Sequence, residues 1–354
     1  MAERVLMKGN EALAEAAIQA GCRNFFGYPI TPQTELAAYM AKRLPKIGGT
    51  FLQAESEIAA INMVQGAAAA GVRAMTSSSS PGISLKTEGI SYMCGSDLPA
   101  LIINVQRGGP GLGGIQPSQA DYWQATRAPG HGDLHILVFA PSSVQEMVDL
   151  VGKAFDLADE YRMPAMILAD GLLGQMMEPV VIGGNAVTDL PKKEWAVCGH
   201  SNERKHNIVN SLYLQAADLE QLIKQRFERY KIIQAKETLC ENYMTDGAEY
   251  FVVAYGATAR IAKAAVKEAR AQGIKVGLIR PITLWPFPQK DMLAAAENAK
   301  AFLCVEMSMG QMIDDVKLAI DCKRPVHFFG HTGGIIPTPA EVLAEISKMT
   351  GGIQ

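Results

Sequence analysis

Between residues 24 and 170 short apolar runs of strand character alternate with stretches of helical spacing, and this alternation is the feature that most restricts the fold. The strand-like runs are Asn24–Ile30, a run at 50–55, Arg73–Thr76, Pro99–Gln106, His135–Ala140 and Pro164–Asp170. Helices are expected at about 10–20, from Thr31–Pro32 through Arg43, from Ser56–Glu57 onward, and at about 83–94, 118–127 and 143–161. Strand, helix, strand in this order builds an α/β domain around a mainly parallel sheet. Pro99–Gln106 is apolar almost throughout, as a strand covered on both faces must be. In such sheets ligands bind beyond the carboxyl ends of the strands. Four candidate segments fall there: Tyr28-Pro29-Ile30-Thr31, Glu57, Ser77–Ser80 and Arg107.

A chain of 354 residues exceeds a typical single domain. Residues 183–245 are richer in charge, hold one helix candidate near 212–230, and are expected to be a connector. From 246 to 354 a second alternation begins, with strands Glu249–Tyr255, Lys275–Arg280, Ala301–Glu306 and Pro325–Phe329 and helices at about 258–271, 288–298 and 311–320. This predicts a smaller doubly wound domain. A net charge of −3 offers nothing to attract nucleic acid or a membrane surface. The six cysteines are scattered without a CxxC pair, which argues against a disulfide scaffold and a local zinc or iron–sulfur ligand set. Met1-Ala2-Glu3-Arg4 is not a signal region and no apolar run reaches membrane-spanning length, so a cytoplasmic protein is expected.

Glu55 and Glu57 stand at the mouth of an almost purely apolar helix. Two residues apart, they point to different sides, so at most one looks into a cleft and the other is solvated. A plain reading is that acidic residues favour a helix N-terminus. Gly109-Pro110-Gly111-Leu112-Gly113-Gly114 spells G-x-G-x-x-G, but more loop follows and a proline interrupts it, so a nucleotide fingerprint is not expected. His131 with His135 and His327 with His331 are spaced by four, which along a strand is about 13 Å, so no metal site is expected. Arg107 reads as a surface arginine or as a bidentate clamp on a carboxylate. The serine run reads as a polar turn or as donors to an anion.

Taken together, Gly27-Tyr28-Pro29-Ile30-Thr31-Pro32, Glu55-Ser56-Glu57 with Gly66, Thr76–Gly82, Arg107–Gly111 and Asp170-Gly171 resemble the alpha subunit of the thiamine-diphosphate-dependent 2-oxoacid:ferredoxin oxidoreductases. Arg280–Pro288 and Val305–Gln311 fit the same subunit, and the resemblance covers nearly the whole chain. Tyr28–Leu36 and the 76–82 segment look most like the 2-ketoisovalerate type. The resemblance implies a pyrimidine-binding domain over 1–182, a connector over 183–245 and a transketolase C-terminal-like domain over 246–354. It makes Glu57, nine residues before Gly66, the carboxylate set against the cofactor's aminopyrimidine. Thr31 and Arg107 match the substrate-contacting pair, and Tyr28 and Pro29 lie on the cofactor side. The G-D-G diphosphate motif with its paired asparagines is missing. The resemblance therefore assigns magnesium and the diphosphate end to a beta subunit, the clusters to a ferredoxin-like subunit, and the whole to a dimer of heteromers. It implies coenzyme-A-dependent oxidative decarboxylation, with 2-oxoglutarate or pyruvate as alternative substrates and a purely architectural subunit as the other reading.

Overall fold

The computed structural model describes residues 4–183 and 190–351. Residues 1–3, 184–189 and 352–354, which include most of the Met1–Arg4 stretch and the first part of the expected connector, lie outside that range. The first half runs β1 (Arg4–Lys8), α1 (Gly9–Gln19), β2 (Asn24–Gly27), α2 (Thr34–Arg43), β3 (Thr50–Gln53), α3 (Glu57–Ala69), β4 (Ala74–Ser78), α4 (Ser80–Gly95) and β5 (Leu101–Gln106). It continues through α5 (Tyr122–Thr126), β6 (Leu137–Phe139), α6 (Val144–Tyr161), β7 (Ala165–Asp170), α7 (Gly171–Gln175) and β8 (Met177–Val181). After α8 (Ala216–Lys236) and β9 (Cys240–Tyr243) come β10 (Tyr250–Val253), α9 (Gly256–Ala271), β11 (Val276–Pro281), β12 (Thr283–Trp285), α10 (Gln289–Asn298), β13 (Ala301–Glu306), α11 (Met312–Ala319), β14 (Val326–Gly330) and α12 (Pro339–Met349).

Two parallel-rich sheets result, as the alternation requires. The larger has the order β12-β6-β7-β5-β4-β2-β3, parallel except for β12. The smaller has the order β14-β13-β10-β11-β9, parallel except for β9. Strands β4, β5 and β7 are buried at every position, which is why they read as continuous apolar or small-residue runs. Helix α6 starts where Ser143 accepts a hydrogen bond from the Glu146 N–H, and α12 opens on a capping box of Thr338 and Glu341.

Each sheet takes its antiparallel edge from outside its own run of sequence. Strand β9, from the stretch expected to be connector, edges the smaller sheet, and β12, from the later half, edges the larger. The crossing point is tied by Leu239, whose carbonyl accepts from the Ile282 and Thr283 N–H groups. Helix α8 lies against the first half, where Arg226 donates to Gly95 O and the Tyr230 hydroxyl bonds the His135 backbone. A short ribbon of β1 and β8, too brief to show alternation, completes the first half. Among the described residues no helix is long and apolar enough to cross a membrane.

Candidate functional site

Strands β5, β4, β2 and β3 are consecutive neighbours in the larger sheet, and all run in the same direction. Their carboxyl ends therefore open side by side, delivering Arg107, the serine run, Tyr28–Thr31 and Glu57 to one edge. The two acidic residues separate as their spacing requires. Glu55 is exposed, while Glu57 is 7% exposed in the first turn of α3. Ser56 fixes that turn, its side chain accepting from the Ala59 N–H at 3.2 Å. Among the described residues nothing donates a hydrogen bond to the Glu57 carboxylate. It rests against Gly82 of α4, where an added Cβ would lie 2.7 Å from Glu57 Oε1 and 2.1 Å from Ser78 Oγ.

Against the backbone of Glu57 lies a residue that sequence reasoning missed. Lys86 is fully buried, and its Nζ donates to the backbone carbonyl of Glu57 at 3.4 Å. Burial pushes its ammonium down to about 8, and the nearby Glu57 carboxylate pulls the other way. The available signal was the stripe Gly82, Lys86, Gly89 on one face of α4, spaced by four and three. Gly89 allows contact as close as Gly82 does, for a Cβ there would meet Ile61 Cγ2 at 2.5 Å.

Arg107 directly follows β5 and is 8% exposed, not a surface arginine. Its Nη1 donates to Thr31 O at 3.0 Å and its Nη2 to Leu112 O at 3.2 Å, while the buried Nε has no partner. Two of its five N–H groups are thus engaged, and three remain. Ser80 Oγ holds the Arg107 backbone, accepting from its N–H at 3.0 Å. The same hydroxyl donates to Asp121 at 2.6 Å, and Asn104 Nδ2 donates to that carboxylate at 2.8 Å. Burial raises the Asp121 carboxyl, and these two donors partly offset it.

The segment after β2 departs from expectation at one point. Thr31 and Pro32 do not open a helix; α2 begins at Thr34, with Gln33 in the capping position. Pro32 O is instead taken by Asn10 Nδ2 at 2.7 Å, and the buried Gln33 Oε1 accepts from Ser77 Oγ at 2.6 Å, so both face inward before the helix can start. Tyr28, Pro29 and Thr31 are exposed at this rim. The serine run is split between the end of β4 and the start of α4. Ser77 and Ser80 are used internally, whereas the buried hydroxyls of Ser78 and Ser79, like that of Thr76, have no partner.

The glycine loop is not a nucleotide turn. It folds back on itself, with Gly108 N donating to Gln116 O and Gly114 N to Gly108 O, and no helix follows until Tyr122. It leans on the second half, since a Cβ on Gly334 would come within 2.2 Å of Gln116 Cβ. The histidine pairs do not converge either. His135 stacks on Trp285 at 4.7 Å, and His331 bonds Glu341 at 3.1 Å.

The halves lock together at Gln119, which sequence reasoning also missed. Its Oε1 accepts from Met307 N (2.9 Å) and Thr258 Oγ1 (3.1 Å), and its Nε2 donates to Tyr255 O at 2.8 Å.

A buried carboxylate without a donor, facing a mouth at four strand ends, fits a ligand that brings its own ring nitrogen. Residues 15–244 match the family model of pyruvate flavodoxin/ferredoxin oxidoreductases, thiamine-diphosphate-binding domain. Residues 248–342 match pyruvate:ferredoxin oxidoreductase core domain II. The chain is 49% identical to the ketoisovalerate oxidoreductase subunit VorB of Methanothermobacter marburgensis, over 98% of each chain. It is 38% identical to the 2-oxoglutarate synthase subunit KorA of Methanothermobacter thermautotrophicus, over 99% of this chain and all of that one. Among solved structures, the 2-oxoglutarate:ferredoxin oxidoreductase of Magnetococcus marinus, with 2-oxoglutarate, coenzyme A and succinyl-CoA bound, superposes at a TM-score of 0.88 and 27% identity, over 98% of this chain and 65% of that longer one. With both halves matched in order and a relative 49% identical over nearly the whole chain, the chain belongs to the 2-oxoacid:ferredoxin oxidoreductases, as a subunit of the alpha type.

Proposed function

We propose that this chain is the alpha subunit of a 2-ketoisovalerate:ferredoxin oxidoreductase. The reaction is coenzyme-A-dependent oxidative decarboxylation to an acyl-CoA and CO2, with the electrons passed to ferredoxin. The observation that carries the reading is Glu57, buried at the strand-end mouth with no donor of its own. When bound, thiamine diphosphate supplies a carbon nucleophile for the 2-oxo group and a sink for the electrons that carbon dioxide leaves behind. The chain's part is to hold a carboxylate at the aminopyrimidine ring nitrogen, within hydrogen-bond reach of the proton exchanged there. Tyr28 and Pro29 form the rim beside it. Thr31 and Arg107 receive the substrate, and the three free N–H groups of Arg107 suit its carboxylate.

The chain carries no diphosphate motif, so a beta subunit is assigned the diphosphate and magnesium and a ferredoxin-like subunit the iron–sulfur clusters. The active unit is then a dimer of heteromers in the cytoplasm. The higher identity to the ketoisovalerate subunit, 49% against 38%, favours the branched-chain substrate. Lys86, the basic side chain that touches Glu57, is fully buried and offers no second cation to a distal carboxylate such as that of 2-oxoglutarate.

The test is co-expression with beta and cluster-bearing subunits and coenzyme-A-dependent reduction of a viologen dye. 2-Ketoisovalerate, 2-oxoglutarate and pyruvate are compared side by side. A preference for 2-ketoisovalerate is expected, and Glu57→Gln should assemble normally yet lose turnover by about 10²–10⁴-fold. Preference for another acid overturns the substrate, and an undiminished Glu57→Gln overturns the mechanism.

A further inference from the structure

Five cationic side chains are buried among the described residues: Arg73, Lys86, Arg107, Arg226 and Arg280. Three are ion-paired. Arg73 meets Asp156 and Asp159, Arg226 meets Asp97, and Arg280 meets Glu146 and Glu241. The two without a carboxylate in contact are Arg107 and Lys86, and both belong to the candidate site. Arg107 has a role in the proposed reaction. Lys86 has none yet.

A buried, unpaired ammonium is costly, and replacing it with an apolar side chain of similar volume is commonly neutral or stabilising. Packing alone would favour an apolar residue at 86, in a seam so narrow that glycines stand at 82 and 89. The charge therefore needs another explanation, and the geometry supplies one. Lys86 reaches across the seam to the first turn of α3 and bonds the carbonyl of the residue whose carboxylate faces the mouth. The charged groups meeting at this point are Glu57 on α3 and Lys86 on α4. Glu55, on the loop before α3, is exposed, and Glu88 on α4 turns outward to His131.

We propose that Lys86 is a positioning residue for Glu57, its sealed ammonium holding the first turn of α3 and placing a positive charge near the carboxylate that is presented to the ring nitrogen. This deepens the proposed function and rests on it for its catalytic meaning. Lys86 bonds the Glu57 backbone at 3.4 Å, and in this buried setting its charge and that of the Glu57 carboxylate attract each other. Because the cation is buried, salt screens it weakly.

The experiment is performed on the full-length chain alone, so that it does not depend on turnover. Glutamate is labelled at the carboxyl carbon, the Glu57 resonance is assigned from Glu57→Gln, and its titration midpoint is read in the parent, Lys86→Met and Lys86→Arg. Lys86→Met preserves volume and should fold with a melting temperature equal to or above the parent's. Its Glu57 midpoint should rise by about one unit, a tenfold change in proton affinity. Lys86→Arg should hold the parent midpoint. In the assembled enzyme the acid limb of the pH–rate profile should move upward with Lys86→Met by the same amount. A folded Lys86→Met with an unmoved midpoint overturns the proposal, as does one that merely melts lower with the midpoint unchanged. If the midpoint moves but Glu57→Gln stays fully active, the electrostatic link stands and the thiamine reading falls.

Discussion

At the scale of single residues, the site depends on missing atoms as much as on present ones. Gly82 gives its place to the Glu57 carboxylate, and any side chain there meets Ser78 Oγ and Glu57 Oε1 well inside contact distance. We expect Gly82→Ala to destabilise the isolated chain by about 1–3 kcal/mol in urea unfolding and to weaken thiamine diphosphate binding in the assembled complex by calorimetry. Gly66, exposed on α3 with nothing within 4 Å of its missing Cβ, is the control. Gly66→Ala should raise stability by about 0.5–1 kcal/mol, the ordinary helical gain. Spacing showed only that Glu55 and Glu57 part; the resemblance singled out Glu57, and Glu57 is the one that is buried. Lys86 was not legible in the sequence, because a lone lysine on a helix normally signals a solvated face, and only the packing of α3 on α4 shows that this one is sealed.

At the scale of elements, the parallel strands and their order along the chain were legible from apolar runs and turns. Where a helix begins was less so. Thr31-Pro32 carries the right residues for a helix start, yet the demands of Asn10 and Ser77 on Pro32 and Gln33 postpone α2 to Thr34. The end of β7 shows the reverse, a cap that does what its residue type suggests. Asp170 Oδ1 accepts from the Leu172 and Leu173 N–H groups at the start of α7. Its full burial pushes the carboxyl up to about 6, against the pull of these donors. Between the unfolded value near 3.8 and about 6 the folded chain keeps a proton that the unfolded chain releases. The sign follows directly: this group's contribution to stability is largest below about pH 4 and falls as pH rises through that window. Asn keeps the accepting Oδ1 without the titration. The stability of Asp170→Asn relative to the parent should therefore grow between pH 4 and pH 7, by about 3 kcal/mol at most, as read by chemical unfolding at each pH. A relative stability that stays flat across this range would rule out the buried, titrating carboxyl.

At the scale of the whole molecule, the exchange of edge strands was not legible at all. Thr283-Leu284-Trp285 is three residues long, and nothing in its composition says which sheet it joins. Its neighbours fix it, Thr283 pairing with Phe139 and Trp285 with Val138. Gln119 is the polar counterpart of that exchange. We expect Gln119→Ala, which leaves Met307 N without its acceptor while Thr258 Oγ1 and Tyr255 O keep each other, to cost about 1–3 kcal/mol. Scanning calorimetry should show the single melting transition broadening toward two as the halves uncouple. The crossing of β12 also has a consequence during synthesis. The ribosome finishes β7 at residue 170 but does not deliver residue 285 until about 115 residues later, roughly ten seconds of elongation. Throughout that interval the nascent larger sheet presents Leu137–Phe139 as a bare, hydrophobic edge. Such an edge invites strand pairing with other chains. A nascent polypeptide of this design has a timed vulnerability, which ends only when its own later half arrives to close it.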